Sequence, residues 1–248
     1  MTHPGTLIVT GGSRGIGAAV VRLAAASGYD VCFTYREQAD AARALAQDIR
    51  AMGRQACCVQ ADVADEAAPG LAFDAAAALP HTVTALVNNA GTTGPIGAFS
   101  AVETSVLRRV LDVNVLGTML FSRQAIRYWA GRSMGGSIVN ISSVAATLGA
   151  PHEYVHYAAS KAAVESFTAG LARETAGQGI RVNAVSPGTT LTDIHAAAGE
   201  PDRPSRIAAR VPMGRVARPE EIADAVVWLL SEKAGYVSGE TLKVAGGL

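Results

Sequence analysis

The chain has few charged residues, few cysteines and no long hydrophobic run, and each shortage excludes a class of protein. Charged residues make up 17% of the 248 positions, and 21 basic side chains are balanced by 21 acidic ones. The sequence therefore offers no basic stripe to a nucleic acid and no polybasic tract to a membrane surface. Its hydrophobic content of 49% is also too high for a disordered chain.

Only three cysteines are present, Cys32, Cys57 and Cys58, and their spacing forms neither a CxxC pair nor a metal-ligand pattern. We expect buried free thiols and no metal. No charged segment precedes an apolar stretch of about 7 to 15 residues, and no run reaches the roughly 18 apolar residues of a membrane span. These absences predict a cytoplasmic protein without nucleic-acid or membrane partners.

Apolar, β-branched segments alternate along the chain with alanine-rich segments of helical period. Continuously apolar strands separated by helices indicate a parallel sheet covered on both faces, so we predict an α/β fold. Because the alternation never pauses, we expect a single domain over residues 1–248. The predicted strands are 6–10, 30–35, 56–60, 83–88, 136–141, 180–185 and 241–244. The predicted helices are 16–27, 38–52, 65–78, 101–130, 155–177 and 219–231.

One segment, 187–218, breaks this alternation. It holds four of the ten prolines and shows no strand pattern. Segments of this length without structure of their own are uncommon in compact domains and often form lids. We expect a lid over a substrate, with an ordinary surface excursion as the alternative.

A glycine-rich loop connects the first predicted strand, which ends at Thr10, to a helix that begins near Ile16. Gly11, Gly15 and Gly17 would permit a tight turn, close approach of a ligand to the backbone, and close packing of helix on sheet. The N-terminus of a helix carries unpaired N–H groups and the positive end of the dipole. The loop therefore predicts a site for an anionic pyrophosphate.

The end of the second predicted strand distinguishes between NAD and NADP. An acidic residue there would bind the adenosine ribose and favour NAD. This chain instead has Tyr35 and Arg36, with Glu37 as the first acid, and Arg14 in the glycine loop is directed to the same place. Two guanidinium groups suit a ribose 2′-phosphate, so we predict that NADP(H) is preferred over NAD(H). The alternative is that both arginines are merely solvated.

Three motifs taken together, TGGSRGIG, NNAG at 88–91 and YAASK at 157–161, resemble those of the short-chain dehydrogenase/reductase family. The resemblance covers essentially the whole chain. It implies a doubly wound Rossmann fold with a seven-stranded parallel sheet, assembled as a homotetramer. It also implies hydride transfer between a nicotinamide cofactor and a small carbonyl/alcohol substrate.

The resemblance also assigns contacts with the cofactor, residue by residue. It implies that Asp62 and Val63 contact adenine, that the NNAG motif lies beside the cofactor, and that Thr190 and Thr192 bind the nicotinamide end. The complete set of expected cofactor-binding residues is Gly11, Ser13, Arg14, Gly15, Ile16, Gly17, Tyr35, Arg36, Asp62, Val63, Asn89, Ala90, Gly91, Tyr157, Lys161, Pro187, Gly188, Thr190 and Thr192.

Four catalytic residues are implied by the same resemblance: Asn114, Ser143, Tyr157 and Lys161. Ser142 is an alternative to Ser143, and we choose Ser143 because the family's serine directly precedes the short turn after its strand. It lies 14 residues before Tyr157, one more than is common in the family, which predicts a small insertion beside the substrate. The family implies that Asn114 holds a water between Lys161 and solvent.

The chemistry explains why these residue types are needed. A carbonyl that accepts a hydride becomes an alkoxide and needs a proton, but a phenol has a pKa of about 10. Tyr157 and Lys161 share a helix face, and an ammonium about 4 Å from the phenolate contributes about 4 kcal/mol, enough to bring that pKa near neutral unless burial opposes it. Ser143 would stabilise the developing charge. Tyr154 is the weaker candidate because its i+4 residue is Ala158.

Several neighbouring residues receive structural interpretations. Trp228 is predicted to lie in the core, because AVVWLL has helical spacing. Trp129 is predicted to lie in the core or in a subunit interface, and His195 to be solvated. His152, Glu153, Tyr154 and His156 are expected at the mouth of the pocket or in solvent.

Two functions from different classes fit these motifs. An oxidoreductase is favoured because all four catalytic positions are filled, and the alternative is a non-catalytic NADP-binding regulatory or scaffold protein. Within the enzyme hypothesis, a sugar or polyol dehydrogenase competes with a reductase of 3-oxoacyl thioesters. An acyl-carrier-protein partner would need a basic patch. Candidates for it are Arg203, Arg206, Arg210, Arg215 and Arg218.

Small apolar residues suggest a modest hydrophobic pocket for the substrate. They are Ile96, Ala98, Phe99, Ile194 and Ala196 to Ala198.

Overall fold

Residues 4–248 are described by a computed structural model, and they form a seven-stranded sheet of order β3-β2-β1-β4-β5-β6-β7. Every neighbouring pair of strands is parallel. The chain reverses its direction of travel across the sheet between β1 and β4, which is the doubly wound Rossmann arrangement. The strands are β1 (Thr6–Val9), β2 (Asp30–Tyr35), β3 (Ala56–Gln60), β4 (Val83–Asn88), β5 (Gly136–Ile141), β6 (Ile180–Pro187) and β7 (Thr241–Val244).

Helices connect successive strands and cover the sheet. They are α1 (Gly15–Ala26), α2 (Ala39–Ala51), α3 (Ala68–Ala77), α4 (Thr104–Leu111), α5 (Gly117–Ala130), α6 (Ala145–Leu148), α7 (Val155–Thr175), α8 (Ile194–Ala197), α9 (Arg203–Ala208) and α10 (Pro219–Leu230). Short 3₁₀ turns occur at Phe99–Ala101, Ala176–Gln178 and Glu232–Ala234. No helix within residues 4–248 has the length and hydropathy needed to cross a bilayer.

Each face of the sheet has its own apolar core. On one face α1, α2 and α10 contribute buried side chains such as Val20 and Leu229. On the other face α3, α5 and α7 contribute Phe73, Phe121 and Leu171. Because both faces are covered, the strands between them must be apolar on both sides, which is the pattern that the sequence shows. The predicted fold class is therefore confirmed.

The differences from the predicted boundaries have local causes. β6 extends to Pro187, beyond the predicted 180–185, because β7 continues to pair with Ser186 and Pro187. The predicted helix 101–130 is instead α4 and α5, joined by a π-helical turn at Asp112–Leu116. The helix predicted over 65–78 begins only at Ala68.

The segment 187–218 has more local structure than the sequence indicates. It contains α8 and α9, and Thr190 bridges Ala217 near its two ends. Pro204 lies in the first turn of α9, where the missing N–H would have no partner in any case. Pro204, one of the four prolines that suggested an irregular segment, therefore lies at the start of a helix.

The two tryptophans occupy different environments. Trp129 is fully buried, and its Nε1 donates a hydrogen bond to the carbonyl oxygen of Val83 at 2.8 Å. Trp228 is 41% exposed, so its predicted core position is wrong. Val226 and Leu229 on the same helix face the sheet and are buried. Since apolar residues surround Trp228 in the sequence, their spacing could not show which face of α10 it occupies.

Gly136→Ala tests the packing beneath β5. A methyl group there would lie 2.5 Å from Cζ2 of the buried Trp129 ring. We expect a loss of about 1 to 3 kcal/mol in the free energy of unfolding, because the ring has no space to move. The matched control is Gly70→Ala in α3, where an added Cβ meets no atom within 4 Å. Urea unfolding measures both, and equal stability of the two variants would contradict this packing.

Candidate active site

A cleft of about 960 Å³ lies at the carboxyl ends of the parallel strands. Its walls come from the glycine loop, the ends of β1, β2, β4, β5 and β6, the first turns of α7, and the segment 187–218. This is the switch point at which ligands bind to open α/β sheets. All the residues predicted as catalytic or cofactor-binding line the cleft, except Gly17 and Asn114.

The glycine loop fits an anionic group. The backbone N–H of Gly11 donates to Thr34 Oγ1 at 3.2 Å, and that of Gly12 donates to the Thr34 carbonyl oxygen at 2.9 Å. No side chain caps the N-terminus of α1, so the N–H groups of its first turn remain available to a ligand in the cleft. Gly17 is buried behind the loop, where a Cβ would lie 2.5 Å from Asn89 Nδ2. A pyrophosphate therefore has both the space and the dipole that it requires.

Two arginines line the part of the cleft beyond the glycine loop. Arg14 is exposed, and no ion-pair partner for it is present within residues 4–248. The Arg36 guanidinium forms an ion pair with the carboxylate of Glu37. The two positive charges fit a phosphate on the ribose, but Glu37 competes for one of them.

Asp62 is held by contacts that orient its carboxylate. Its Oδ1 accepts a hydrogen bond from the Ala64 N–H at 3.0 Å, and its Oδ2 accepts one from Arg109 Nη2 at 2.7 Å. Although partial burial acts to raise it, these hydrogen bonds hold the pKa of Asp62 below its ordinary value. Arg109 also lines the cleft, and the sequence analysis missed it. The sequence predicted that Arg109 lies on a helix, but it did not show in which direction the Arg109 side chain points.

The ends of β1 and β4 are joined by side chains. Asn89 Nδ2 donates to the carbonyl oxygens of Thr10 and Gly11, each at 2.9 Å. The backbone N–H groups of Asn89 and Ala90 both donate to Thr10 Oγ1 at 3.0 Å. The predicted NNAG motif thus holds the glycine loop to the sheet as well as lining the cleft.

Tyr157 and Lys161 lie together on α7 and are almost fully buried, with exposures of 8% and 4%. Lys161 Nζ donates a hydrogen bond to the carbonyl oxygen of Ile141 at 2.7 Å and lies 5.7 Å from the centroid of the Tyr157 ring. Ser143 lies near enough to Tyr157 for a side-chain hydrogen bond that acts to lower the pKa of the phenol. Three of the four predicted catalytic residues therefore meet at the end of β5.

The geometry also distinguishes Ser143 from Ser142. Ser142 Oγ donates to Glu165 Oε1 at 2.8 Å and approaches the carbonyl oxygen of Lys161 at 3.2 Å, so it points to the side of α7. Ser143 lines the cleft and acts to lower the pKa of the Tyr157 phenol. The arrangement favours Ser143, as the position before the turn suggested.

Burial dominates the acidity of both groups. It raises the pKa of Tyr157, and the hydrogen bond from Ser143 and the charge of Arg203 offset only part of this. It lowers the pKa of Lys161 to about 8. The expectation that Lys161 brings the phenol near neutral is therefore wrong for the chain alone. The i, i+4 spacing places both side chains on one face, but the ammonium is directed to the Ile141 carbonyl and the phenolate is poorly solvated.

Asn114 is fully buried in the π-helical turn and does not reach the cleft. Its Oδ1 accepts from the Thr92 N–H at 2.8 Å, and its Nδ2 donates to the Thr92 carbonyl oxygen and to Ser160 Oγ, each at 2.9 Å. Both N–H groups of the side chain are thus engaged within the protein. Asn114 orients the loop after β4, and its catalytic role remains a prediction.

The substrate side of the cleft is more buried than expected. Tyr154 and His156, expected at the mouth of the pocket or in solvent, are both buried. His156 Nε2 lies 2.8 Å from the carbonyl oxygen of Thr93, which fixes the loop opposite α7. His195, expected in solvent, is half-buried against the carbonyl oxygen of Thr190 at 3.0 Å. Burial lowers the pKa of His195.

The predicted basic patch is largely neutralised. Arg203 is buried and pairs with Glu153, Arg206 pairs with Glu153 and Glu200, and Arg215 pairs with Glu221. The apolar pocket is partly as predicted, since Ile194, Ala197 and Ala198 line the cleft. Ile96, Ala98, Phe99 and Ala196 do not line it. Within residues 4–248 there is no cluster of three or more histidine, cysteine or acidic residues that could hold a metal ion.

Comparisons with known proteins find relatives along nearly the whole chain. A protein-family model described as enoyl-(acyl carrier protein) reductase matches residues 11–248. The chain is 45% identical over 242 residues to the uncharacterized oxidoreductase YgfF of Escherichia coli, which covers 97% of this chain and 98% of that protein. It is 41% identical over 246 residues to 3beta-hydroxysteroid dehydrogenase 1 of Eggerthella lenta, and the alignment covers 98% of this chain and 93% of that protein. A crystal structure of a short chain dehydrogenase from Burkholderia cenocepacia in complex with NADP superimposes on this chain with a TM-score of 0.90 at 34% identity. The match covers 99% of this chain and 98% of that chain.

Lys161→Met tests the cost of burying this ammonium in the ligand-free protein. Burial lowers the pKa of Lys161 from 10.5 to about 8, so between these values the unfolded chain binds the proton more tightly than the folded chain does. As the pH rises from about 8 to about 10, the wild-type free energy of unfolding should therefore increase relative to that of the variant, by up to about 3 kcal/mol. Urea unfolding across this range measures the difference. A difference that stays constant or falls with pH would show that the ammonium is not destabilised by burial.

Proposed function

Because the chain belongs to the short-chain dehydrogenase/reductase family, we propose that it is an NADP(H)-dependent oxidoreductase that transfers a hydride between nicotinamide and a carbonyl/alcohol substrate. One observation carries the proposal. Tyr157, Ser143 and Lys161 meet in the same cleft that contains the glycine loop and two arginines. A site for proton transfer and a site for a dinucleotide therefore share one cavity, as a coupled hydride and proton transfer requires.

The cofactor would lie along the cleft from the glycine loop to α7. The uncapped first turn of α1 would hold the pyrophosphate, Asp62 and Val63 the adenine, and Thr190 and Thr192 the nicotinamide end. When bound, the nicotinamide supplies the hydride donor or acceptor. The Burkholderia cenocepacia relative, whose crystal structure contains NADP, supports a phosphorylated cofactor. So do Arg14 and Arg36, because both face the region beyond the second strand.

The protein's own groups would handle the proton. Since burial raises its pKa, Tyr157 is a protonated phenol at neutral pH and is ready to donate to an alkoxide. Ser143 is placed to donate a hydrogen bond to the substrate oxygen as its charge grows. Lys161 keeps a positive charge near the phenol and is fixed to the sheet through Ile141.

The substrate is proposed to be a small carbonyl or alcohol with an apolar body. Ile194, Ala197 and Ala198 give the cleft an apolar wall. The relative from Eggerthella lenta is named for a hydroxysteroid, which also has an apolar body. Because most of the predicted basic patch is paired with glutamates, an acidic carrier protein is disfavoured.

We also propose that the protein is a cytoplasmic homotetramer with a single domain over 1–248. The free cysteines fit a reducing compartment. Exposed apolar side chains on α5 and the turn before it, among them Leu116 and Met119, would be covered by a second subunit. A non-catalytic NADP-binding protein remains the competing function, and the following variant separates the two.

Tyr157→Phe removes the proposed proton donor and keeps the ring. We expect turnover with NADPH to fall by more than about 100-fold, while the fold and the affinity for NADP are retained. Steady-state kinetics and calorimetric NADP titration measure the two effects. Tyr154→Phe is the matched control, and it should keep most of the turnover because its ring packing survives. A Tyr157→Phe enzyme as active as the wild type would exclude the phenol from the reaction.

Arg36→Ala tests the choice of cofactor. Loss of a charge-assisted hydrogen bond to the 2′-phosphate should raise the KM for NADPH by about 10- to 100-fold and leave the KM for NADH nearly unchanged. Arg14→Ala should act in the same direction. Glu37→Ala, which frees the Arg36 guanidinium from its ion pair, should instead increase the preference for NADPH. Equal effects on both cofactors would rule out the two arginines as phosphate ligands.

A further inference from the structure

We propose that Arg203, at the start of α9, is a positioning residue for Tyr157: it holds the Tyr154 ring against the phenol ring and brings a second positive charge, besides that of Lys161, to this end of the cleft. The inference rests on the proposed function, in which Tyr157 exchanges a proton with substrate. It assigns a part of that exchange to Arg203, a residue that the motifs of the family do not include.

Arg203 is anchored by a buried ion pair. Its Nη2 donates to Glu153 Oε2 at 2.5 Å, and the side chains of Arg203 and Glu153 are only 9% and 18% exposed. Glu153 Oε1 also accepts from the exposed Arg206 at 2.9 Å. Glu153 lies just before α7 and Arg203 begins α9, so the ion pair joins the covering segment to the helix that carries Tyr157.

A line of stacked groups connects Arg203 to the phenol. The guanidinium carbon lies 5.1 Å from the centroid of the Tyr154 ring. The Tyr154 ring in turn meets the Tyr157 ring edge to face, at 5.2 Å between centroids and 85° between planes. A cation over an aromatic face is attracted by it, and an edge-to-face pair restrains both rings. Arg203 therefore limits where Tyr157 can lie without touching it.

The charges near the phenol indicate that the contribution is also electrostatic. Burial raises the pKa of Tyr157, whereas the hydrogen bond from Ser143 and the charge of Arg203 lower it. The ammonium of Lys161 is directed to the Ile141 carbonyl oxygen. Other titratable groups also lie on the elements that surround the phenol: Glu153 and Tyr154 before α7, His156 on α7, Asp193 and His195 at α8, Glu200 and Arg206 at α9, and Arg210 after it.

A purely structural role does not explain why this residue is an arginine. Its Nε is buried and has no hydrogen-bond partner within residues 4–248, a cost that an apolar side chain of similar length would avoid. Arg203 lines the same cleft as Tyr157, on the side of the Tyr154 ring. The contact between the segment 187–218 and the start of α7 and the stabilisation of the phenolate then depend on the same residue.

The experiment compares two neutral variants, Arg203→Met and Arg203→Gln, with the charge-retaining Arg203→Lys. In each, Glu153 keeps its partner Arg206, so no buried carboxylate is left unpaired. Arg215→Met is the matched control, because Arg215 belongs to the same segment and pairs with Glu221 in an exposed position. Two quantities are measured: the pH dependence of alcohol oxidation at saturating NADP, and the pH titration of the ¹³Cζ resonance that disappears in Tyr157→Phe.

In whichever neutral variant folds, we expect two values to rise by about half a pH unit to one pH unit: the pKa read from the pH dependence of alcohol oxidation, and the midpoint pH of the resonance titration. They should rise because the phenolate loses a nearby cation. Arg203→Lys and Arg215→Met should stay near the wild-type values. A neutral variant that changes KM or kcat while both midpoints stay in place would overturn the proposal, as would a lysine variant that shifts as far as methionine does. If the wild type reduces no carbonyl compound, the proposed function fails, and the resonance titration still decides whether Arg203 acts on Tyr157.

Discussion

The hydrogen bond between the Lys161 ammonium and the carbonyl oxygen of Ile141 joins α7 to the end of β5. Both groups are buried, so the bond fixes the beginning of α7 against the sheet. Tyr157, one turn earlier on the same helix, is thereby brought to Ser143, two residues after Ile141. The geometry of the candidate active site follows from this single junction between a strand end and a helix.

The same junction accounts for the unusual acidities in the site. A phenol and an ammonium removed from water are each driven toward their neutral forms, so the pKa of Tyr157 rises and that of Lys161 falls. The protein accepts this destabilisation at the place where we propose that Tyr157 donates a proton, as functional sites commonly do. In such a site, reduction would use the protonated phenol. Oxidation needs further stabilisation of the phenolate, and Arg203 and Ser143 are the groups placed to provide it.

Sequence reasoning predicted the fold well because its signals are local. Continuously apolar strands and alanine-rich helices identify a parallel sheet with two covered faces, and the glycine loop follows from the strand–helix junction around Gly11. The family motifs then placed Ser143, Tyr157 and Lys161 in one cleft. The sequence could not show in which direction a side chain points. The spacing of Tyr157 and Lys161 places both on one face of the helix, but it does not show that the Lys161 ammonium binds a backbone carbonyl oxygen.

Contacts between distant segments were missed for a related reason. Arg203 and Glu153 are separated by 50 residues, and Arg109 and Asp62 by 47, so no local pattern pairs them. A run of arginines in 187–218 looked like a basic surface, although Arg206 and Arg215 pair with Glu200 and Glu221, each six residues away. Arg203 has its partner, Glu153, in a distant part of the chain, and the burial of that pair is decided by tertiary packing.

The most direct test of the account is the loss of NADPH absorbance when the purified wild-type protein is mixed with a panel of small ketones and aldehydes at neutral pH. The account predicts NADPH consumption that depends on the carbonyl compound, is faster with apolar cyclic ketones than with sugars, and is slower with NADH. Tight NADPH binding without consumption by any carbonyl compound would contradict it, and would favour a protein that only binds the dinucleotide.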